Sequence, residues 1–221
     1  MRKVKLQEPV LVYLFGMPGS GKSFLSSHLA HEYGLAHVWS DRIRHTLFNN
    51  PQYDKTENQV VYSLMDFMTE QFLQAGIGVI YDISASRLVQ RRAMREMARK
   101  FKIKELLIWL QIDAETAWSR SANRDKRKPE DKYNVPLSQQ SFEEMYKLMQ
   151  KPVNEPGLVI SGKHSFASHK AAIQKRFVKM GLINPEDLGQ KVGKPELVNL
   201  VSRAQVSSGR VNMSRRNIMI R

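Results

Sequence analysis

Within eight consecutive residues, Gly16-Met17-Pro18-Gly19-Ser20-Gly21-Lys22-Ser23 brings together three glycines, a lysine and a hydroxyl. A glycine, four residues and then Gly-Lys-Ser is the spacing of a loop that wraps its backbone around phosphate. Glycines at 16, 19 and 21 let successive N–H groups converge on phosphate oxygens at the positive end of a helix. Lys22 is then expected to reach the outer phosphates, and the Ser23 hydroxyl to ligate a magnesium ion that bridges them. The expected ligands of a nucleoside triphosphate are thus Gly16, Met17, Pro18, Gly19, Ser20, Gly21, Lys22 and Ser23, with Mg2+ beside it. The plain alternative is a glycine-rich turn that binds nothing. An apolar run before it and an amphipathic stretch after it, in register, weigh against that.

Five further side chains could act on a bound triphosphate. Asp41, in Ser40-Asp41-Arg42-Ile43-Arg44, follows a second short apolar run and should project from the same sheet edge as the loop. A carboxylate there can take the proton of an attacking hydroxyl, or align it. Arg44, one helical turn on, could steady the acceptor or the phosphoryl group in flight. Taken alone, Asp41 reads better as the cap of the helix at 42–48; paired with the loop and Arg44 it reads as the base. Asp82 closes a third apolar run, where it could hold a magnesium-bound water beside Ser23, or again cap a helix. Arg120 and Arg124 lie four apart, on one helical face, before a charged loop. That suits a lid closing over nucleotide, or an ordinary exposed basic helix end.

The elements that must position these residues follow from alternating short apolar runs and longer amphipathic stretches, the pattern of a parallel sheet covered by helices. Strands are predicted at 10–15, 36–40, 77–82, 103–112 and 158–160, making an open five-stranded sheet. Helices are predicted at 22–33, 42–48, 56–75, 87–101, 114–124 and 138–151. Met65, Met68, Met94 and Met97 fall at helical spacings and read as core, and Trp39, Trp109 and Trp118 read as buried rather than as base-stacking platforms. Arg87, Arg91, Arg95 and Arg99 repeat every four residues, a stripe that reads as a solvated face. Residues 123–136, with two prolines and many charges, read as a mobile surface loop.

The 221 residues suffice for one sizeable domain with an appendage. Composition changes after Gly162, so residues 1–162 are expected to form the nucleotide-binding domain. Residues 163–221 are expected to be a basic, mostly helical C-terminal extension, with helices predicted at 165–180 and from Asn184. Lys and Arg outnumber Asp and Glu by 35 to 21, and 163–221 holds 12 of the basic and 3 of the acidic side chains. Such an excess favours polyanionic partners, nucleic acid among them, or simply a solvated surface. With no cysteine, disulfides and thiolate chemistry are excluded. No apolar run approaches the ~18 residues that cross a bilayer, so no membrane association is expected, and a cytoplasmic location is. His28 and His31 lack a third ligand in register, so no zinc site is expected.

Together GMPGSGKS, SDRIR, VIYDIS and R-x-x-x-R before a charged loop resemble the small P-loop kinases of the polynucleotide-kinase and zeta-toxin type, over residues 9–162. The resemblance implies an α/β P-loop NTPase fold, a five-stranded parallel sheet flanked by helices. It also implies that Lys22 and Ser23 bind the ATP phosphates and magnesium, that Asp41 is the base with Arg44 on the acceptor, and that Arg120 and Arg124 belong to the lid. SFEEMYKLMQKP resembles the helix after that lid. One departure stands out: relatives often continue the third strand as Asp-x-Thr-Asn, where this chain has Asp82-Ile83-Ser84-Ala85 and so lacks an amide. The implied activity is transfer of the γ-phosphoryl group of ATP to a hydroxyl, either a nucleic-acid 5′-hydroxyl or a small metabolite. The alternative is a nucleotide-dependent nucleic-acid binding protein without phosphotransfer.

Overall fold

The computed structural model describes residues 4–84, 86–125, 127–128 and 131–188, with Ser84 as backbone alone. Most of the expected extension, 189–221, lies outside the described residues, as does Lys126 of the charged loop. Five strands, β1 (Val10–Phe15), β2 (Ala36–Trp39), β3 (Val79–Ser84), β4 (Lys104–Gln111) and β5 (Leu158–Ser161), form one sheet in the order β2-β3-β1-β4-β5. Every pairing is parallel. Central β1, VLVYLF, is buried at all six positions, as an apolar run must be when helices cover both sides.

Alternate residues of β1 feed two cores. Val10, Val12 and Leu14 pack with Leu25 and Leu29 of α1 (Lys22–Tyr33) and with Ile173 and Phe177 of α7 (Phe166–Lys179). Leu11, Tyr13 and Phe15 face Val61 and Met65 of α3 (Lys55–Gln74) and Met94 and Met97 of α4 (Leu88–Lys100). Three shorter helices, α2 (Ser40–Leu47), α5 (Ala114–Ala122) and α6 (Gln139–Lys147), and a 3-10 turn at Pro185–Leu188 make up the other elements of the described residues. Short polar side chains start several helices by accepting from a first-turn N–H: Asp54 caps α3 and Asp113 caps α5.

Three expectations are corrected. The packed unit does not end at Gly162: Ile173, Phe177, Leu182 and Ile183 of the supposed extension are buried in the α1 core. Composition misled because α7 is amphipathic and its polar face dominates the count. The α4 stripe is a solvated face only at its ends, where Arg87 and Arg99 are exposed. Arg91 is 1% exposed and binds Glu155 through Nε (3.0 Å) and Nη2 (2.6 Å), and Arg95 also bonds Glu155. Lastly, α6 stops at Lys147 rather than Lys151, because Gln150 is drawn off the helix. Its N–H donates to Ser86 O (2.8 Å) and its Oε1 accepts from Leu88 N–H (2.7 Å).

Candidate active site

The loop between β1 and α1 is shaped by backbone that only glycine tolerates. Gly19 has φ 79°, and a Cβ there would meet Ala117 O at 2.1 Å, so α5 packs directly on the turn. Helix α1 opens on Gly21 at φ 97° with no side-chain cap, leaving its first N–H groups for an anion. Lys22 folds back over the loop, Nζ donating to Gly16 O and Met17 O at 2.9 Å each. Burial lowers its ammonium to about 8 and Arg124 adds to that effect, against the charges of Asp82 and Asp41.

Strand order explains which acids meet this lysine. β3 lies beside β1 and β2 beside β3, so the ends of all three deliver their residues to one edge. Asp82 is 3% exposed and lies within β3, which runs on to Ser84; it is therefore not a helix cap. His37 Nε2 lies 2.9 Å from Asp82 Oδ2, and Ser40 Oγ donates to Asp82 O (3.2 Å). Asp41 sits in the first turn of α2, whose N-cap is Trp39 and which has no side-chain cap, so its carboxyl is not used for capping. Burial raises the Asp41 carboxyl above the usual aspartate range and Asp82 raises it further, while Arg44, His45 and Arg124 pull it down. Lys22, Asp41, Asp82 and Arg124 thus form one electrostatic group.

The remaining predicted residues are placed differently from one another. Half-buried Arg124 pairs with Asp131 of the charged loop (2.7 Å). Arg120 stands apart, donating from Nη1 to Gly162 O (2.9 Å) and lining a cleft of ≈ 530 Å³ with Asp113, Thr116, Ser119 and Lys163. Arg44 is 3% exposed and bonded to Glu57 (3.1 Å) and Asn58 (2.6 Å), so it does not offer a free cationic fork. His37 and Glu57 went unread in the sequence, since no local pattern marks a partner on another element. A larger cleft of ≈ 880 Å³ lies between β4, β5 and the end of α6, beside Trp109, Tyr146 and Val159, and of the predicted site residues it touches only Met17.

The donor set suits magnesium: the Ser23 hydroxyl and the Asp82 carboxylate are hard oxygen ligands. No group of three or more His, Cys, Asp or Glu that could hold a metal ion occurs among the described residues. A cation here would therefore complete its shell with phosphate and water. Among the described residues no helix is long and apolar enough to cross a membrane.

A parallel sheet in this order, with a glycine-rich loop and uncapped helix following its central strand, defines the P-loop NTPase fold of small kinases. The chain belongs to the AAA domain family, whose model matches residues 11–152. Among solved structures it resembles a gluconokinase from Sinorhizobium meliloti 1021 (TM-score 0.56, 12% identity, covering 81% of this chain and 95% of that one). It also resembles Kti12 from Chaetomium thermophilum in complex with ADP-AlF3 (TM-score 0.57, 15% identity, 79% and 99%). A third likeness is an unliganded sugar kinase from Janibacter sp. HTCC2649 (TM-score 0.54, 16% identity, 79% and 95%). At these identities the likeness is one of fold. No curated protein sequence matches.

Proposed function

We propose that this protein is an ATP-dependent phosphotransferase acting on a hydroxyl. The carrying observation is that β2, β3 and β1 lie side by side and parallel, so that Asp41 after β2, Asp82 of β3 and the loop after β1 belong to one edge of the sheet. In this reading the 16–23 loop binds the triphosphate, and Lys22 exchanges its two carbonyl partners for phosphate oxygens. Ser23 and Asp82 would hold the magnesium ion, which when bound supplies charge neutralisation at the outer phosphates. Asp41 receives the proton of the acceptor hydroxyl as that oxygen bonds to the γ-phosphorus and the bond to the bridging oxygen of ADP breaks. Arg124 steadies the transferred group, and Arg120, at the cleft with Lys163, serves the nucleoside end.

Incubation with γ-labelled ATP and a panel of 5′-hydroxyl RNA, 5′-hydroxyl DNA, nucleosides and sugars tests this. Label should appear on one class. Asp41→Asn should abolish that transfer while sparing ATP binding. If a nucleotide-dependent nucleic-acid binding protein is the right description, Asp41→Asn changes little.

A further inference from the structure

Glu57, in the first turn of α3, organises the segment 48–54. Its Oε1 accepts from the Gln52 N–H (2.8 Å), and its Oε2 from the Tyr53 N–H (2.8 Å) and Arg44 Nη1 (3.1 Å). Tyr53 has φ 58°, in the left-handed region that a bulky residue rarely adopts, and the Glu57 carboxylate holds it there. Strain of this kind, maintained by surrounding bonds, tends to cluster at functional sites. Its effect is to place a ring: Tyr53 is 39% exposed, lies 4.6 Å below the Arg44 guanidinium, and has its hydroxyl 3.4 Å from His45 Nε2.

Asp41, Arg44 and His45, at i, i+3 and i+4, share one face of α2, so this ring stands on the same side as the proposed base. Tyr133 of the charged loop adds a second ring, 5.8 Å from His45 and 5.2 Å from Trp39. Arg44, meanwhile, is compensated before any ligand arrives, buried against a carboxylate and an amide oxygen. Its Nε–H is buried without a partner among the described residues. With two of its five N–H groups spent on these partners and the side chain 3% exposed, Arg44 is not the free two-pronged cation that grips phosphate. Aromatic faces, an imidazole and a carboxylate are groups that orient a neutral polyhydroxylated ring.

We infer that the acceptor is an uncharged sugar ring, free or within a nucleoside, that lies on Tyr53 and turns its hydroxyl to Asp41, with no phosphate of its own held by Arg44. This rests on the phosphotransfer reading and names its substrate class.

The test uses the full chain with Mg2+ and AMPPNP, titrated calorimetrically with adenosine against adenosine 3′-monophosphate, both bearing a free 5′-hydroxyl, and with glucose against glucose 6-phosphate. A 5′-hydroxyl oligonucleotide completes the set. The neutral member of at least one pair should bind about tenfold tighter or more, and its affinity should stay nearly constant between about 50 and 300 mM salt. Tighter binding of the phosphate-bearing members or of the oligonucleotide, falling steeply with salt, overturns the inference, and so does binding of none of these compounds. Selective binding of the neutral ring without label transfer from γ-labelled ATP supports the ring site and counts against phosphotransfer, so the two failures are distinguishable. Tyr53→Ala should weaken the neutral ligand about tenfold without altering AMPPNP binding; an unchanged affinity overturns the placement. In folded Glu57→Gln, adenosine 3′-monophosphate should gain about tenfold on adenosine, and a fixed ratio overturns the role given to Glu57. If Glu57→Gln does not fold, the wild-type pairs and their salt dependence decide.

Discussion

His37 Nε2 and Asp82 Oδ2 lie 2.9 Å apart, diagonally across the β2–β3 ladder in which Trp39 is the direct partner of Asp82. The imidazole is itself held flat against Trp39, with ring centroids 5.4 Å apart and planes 4° from parallel. The carboxylate proposed to face magnesium is therefore oriented by a neighbouring strand rather than by its own.

From that contact it follows that His37→Ala should weaken magnesium binding in the nucleotide complex by about 10–100-fold. AMPPNP affinity in EDTA should be unchanged. Calorimetric titration of AMPPNP at stepped magnesium concentrations reads both quantities. An unaltered magnesium dependence would reduce His37 to packing.

Lys22 gives a pH prediction. Burial lowers its ammonium to about 8 in the free protein, and a bound triphosphate favours the charged form. Binding is then coupled to proton uptake once pH exceeds about 8. Affinity for AMPPNP should be flat below that pH and decline above it, by up to about tenfold per unit. Lys22→Met should remove the pH dependence along with most of the affinity.

For Asp41 the sign runs the other way, since the ionised form is the base. With its carboxyl raised by burial and by Asp82, kcat should fall on acidification at a pH above the ordinary aspartate value of about 3.9. Asp41→Asn should lower kcat by about 10²–10⁴-fold and leave AMPPNP affinity within about twofold.

Glu155 supports a prediction about stability. Burial alone would raise its carboxyl, yet hydrogen bonds from Arg91 and Arg95 hold it below the ordinary glutamate value. A depressed carboxyl contributes stability above its unfolded pKa of about 4.3 and loses it as pH falls through the folded value. Glu155→Ala leaves buried Arg91 without its counter-charge and should cost about 3–5 kcal/mol at neutral pH. Urea unfolding from pH 7 downward measures both: the difference between the two proteins should be large at pH 7 and shrink as the Glu155 carboxyl, held below its ordinary value, takes up a proton on acidification.

What could be read in advance was local. β1 and α1 are bounded by an apolar run and by glycines on either side, and both fall at their predicted residues. Asp41 and Asp82 were legible as acids at strand ends because parallel strands deliver their ends to one edge. Partnerships across long separations were not legible: Arg44 with Glu57, Gln150 with Ser86, Arg91 with Glu155 at 64 residues. An arginine repeat every four residues looks the same whether water or a distant glutamate receives it. The role of α7 was hidden likewise, since polar residues outnumber the few apolar ones that it buries.

That helix bears on how the protein can be handled. A fragment trimmed to the range matching the family, or ended at Gly162, would strip the cover from Leu25, Leu29 and Tyr33 and bare the flank of the sheet they rest on. Such a fragment should aggregate on expression, and the smallest soluble piece should reach at least Leu188.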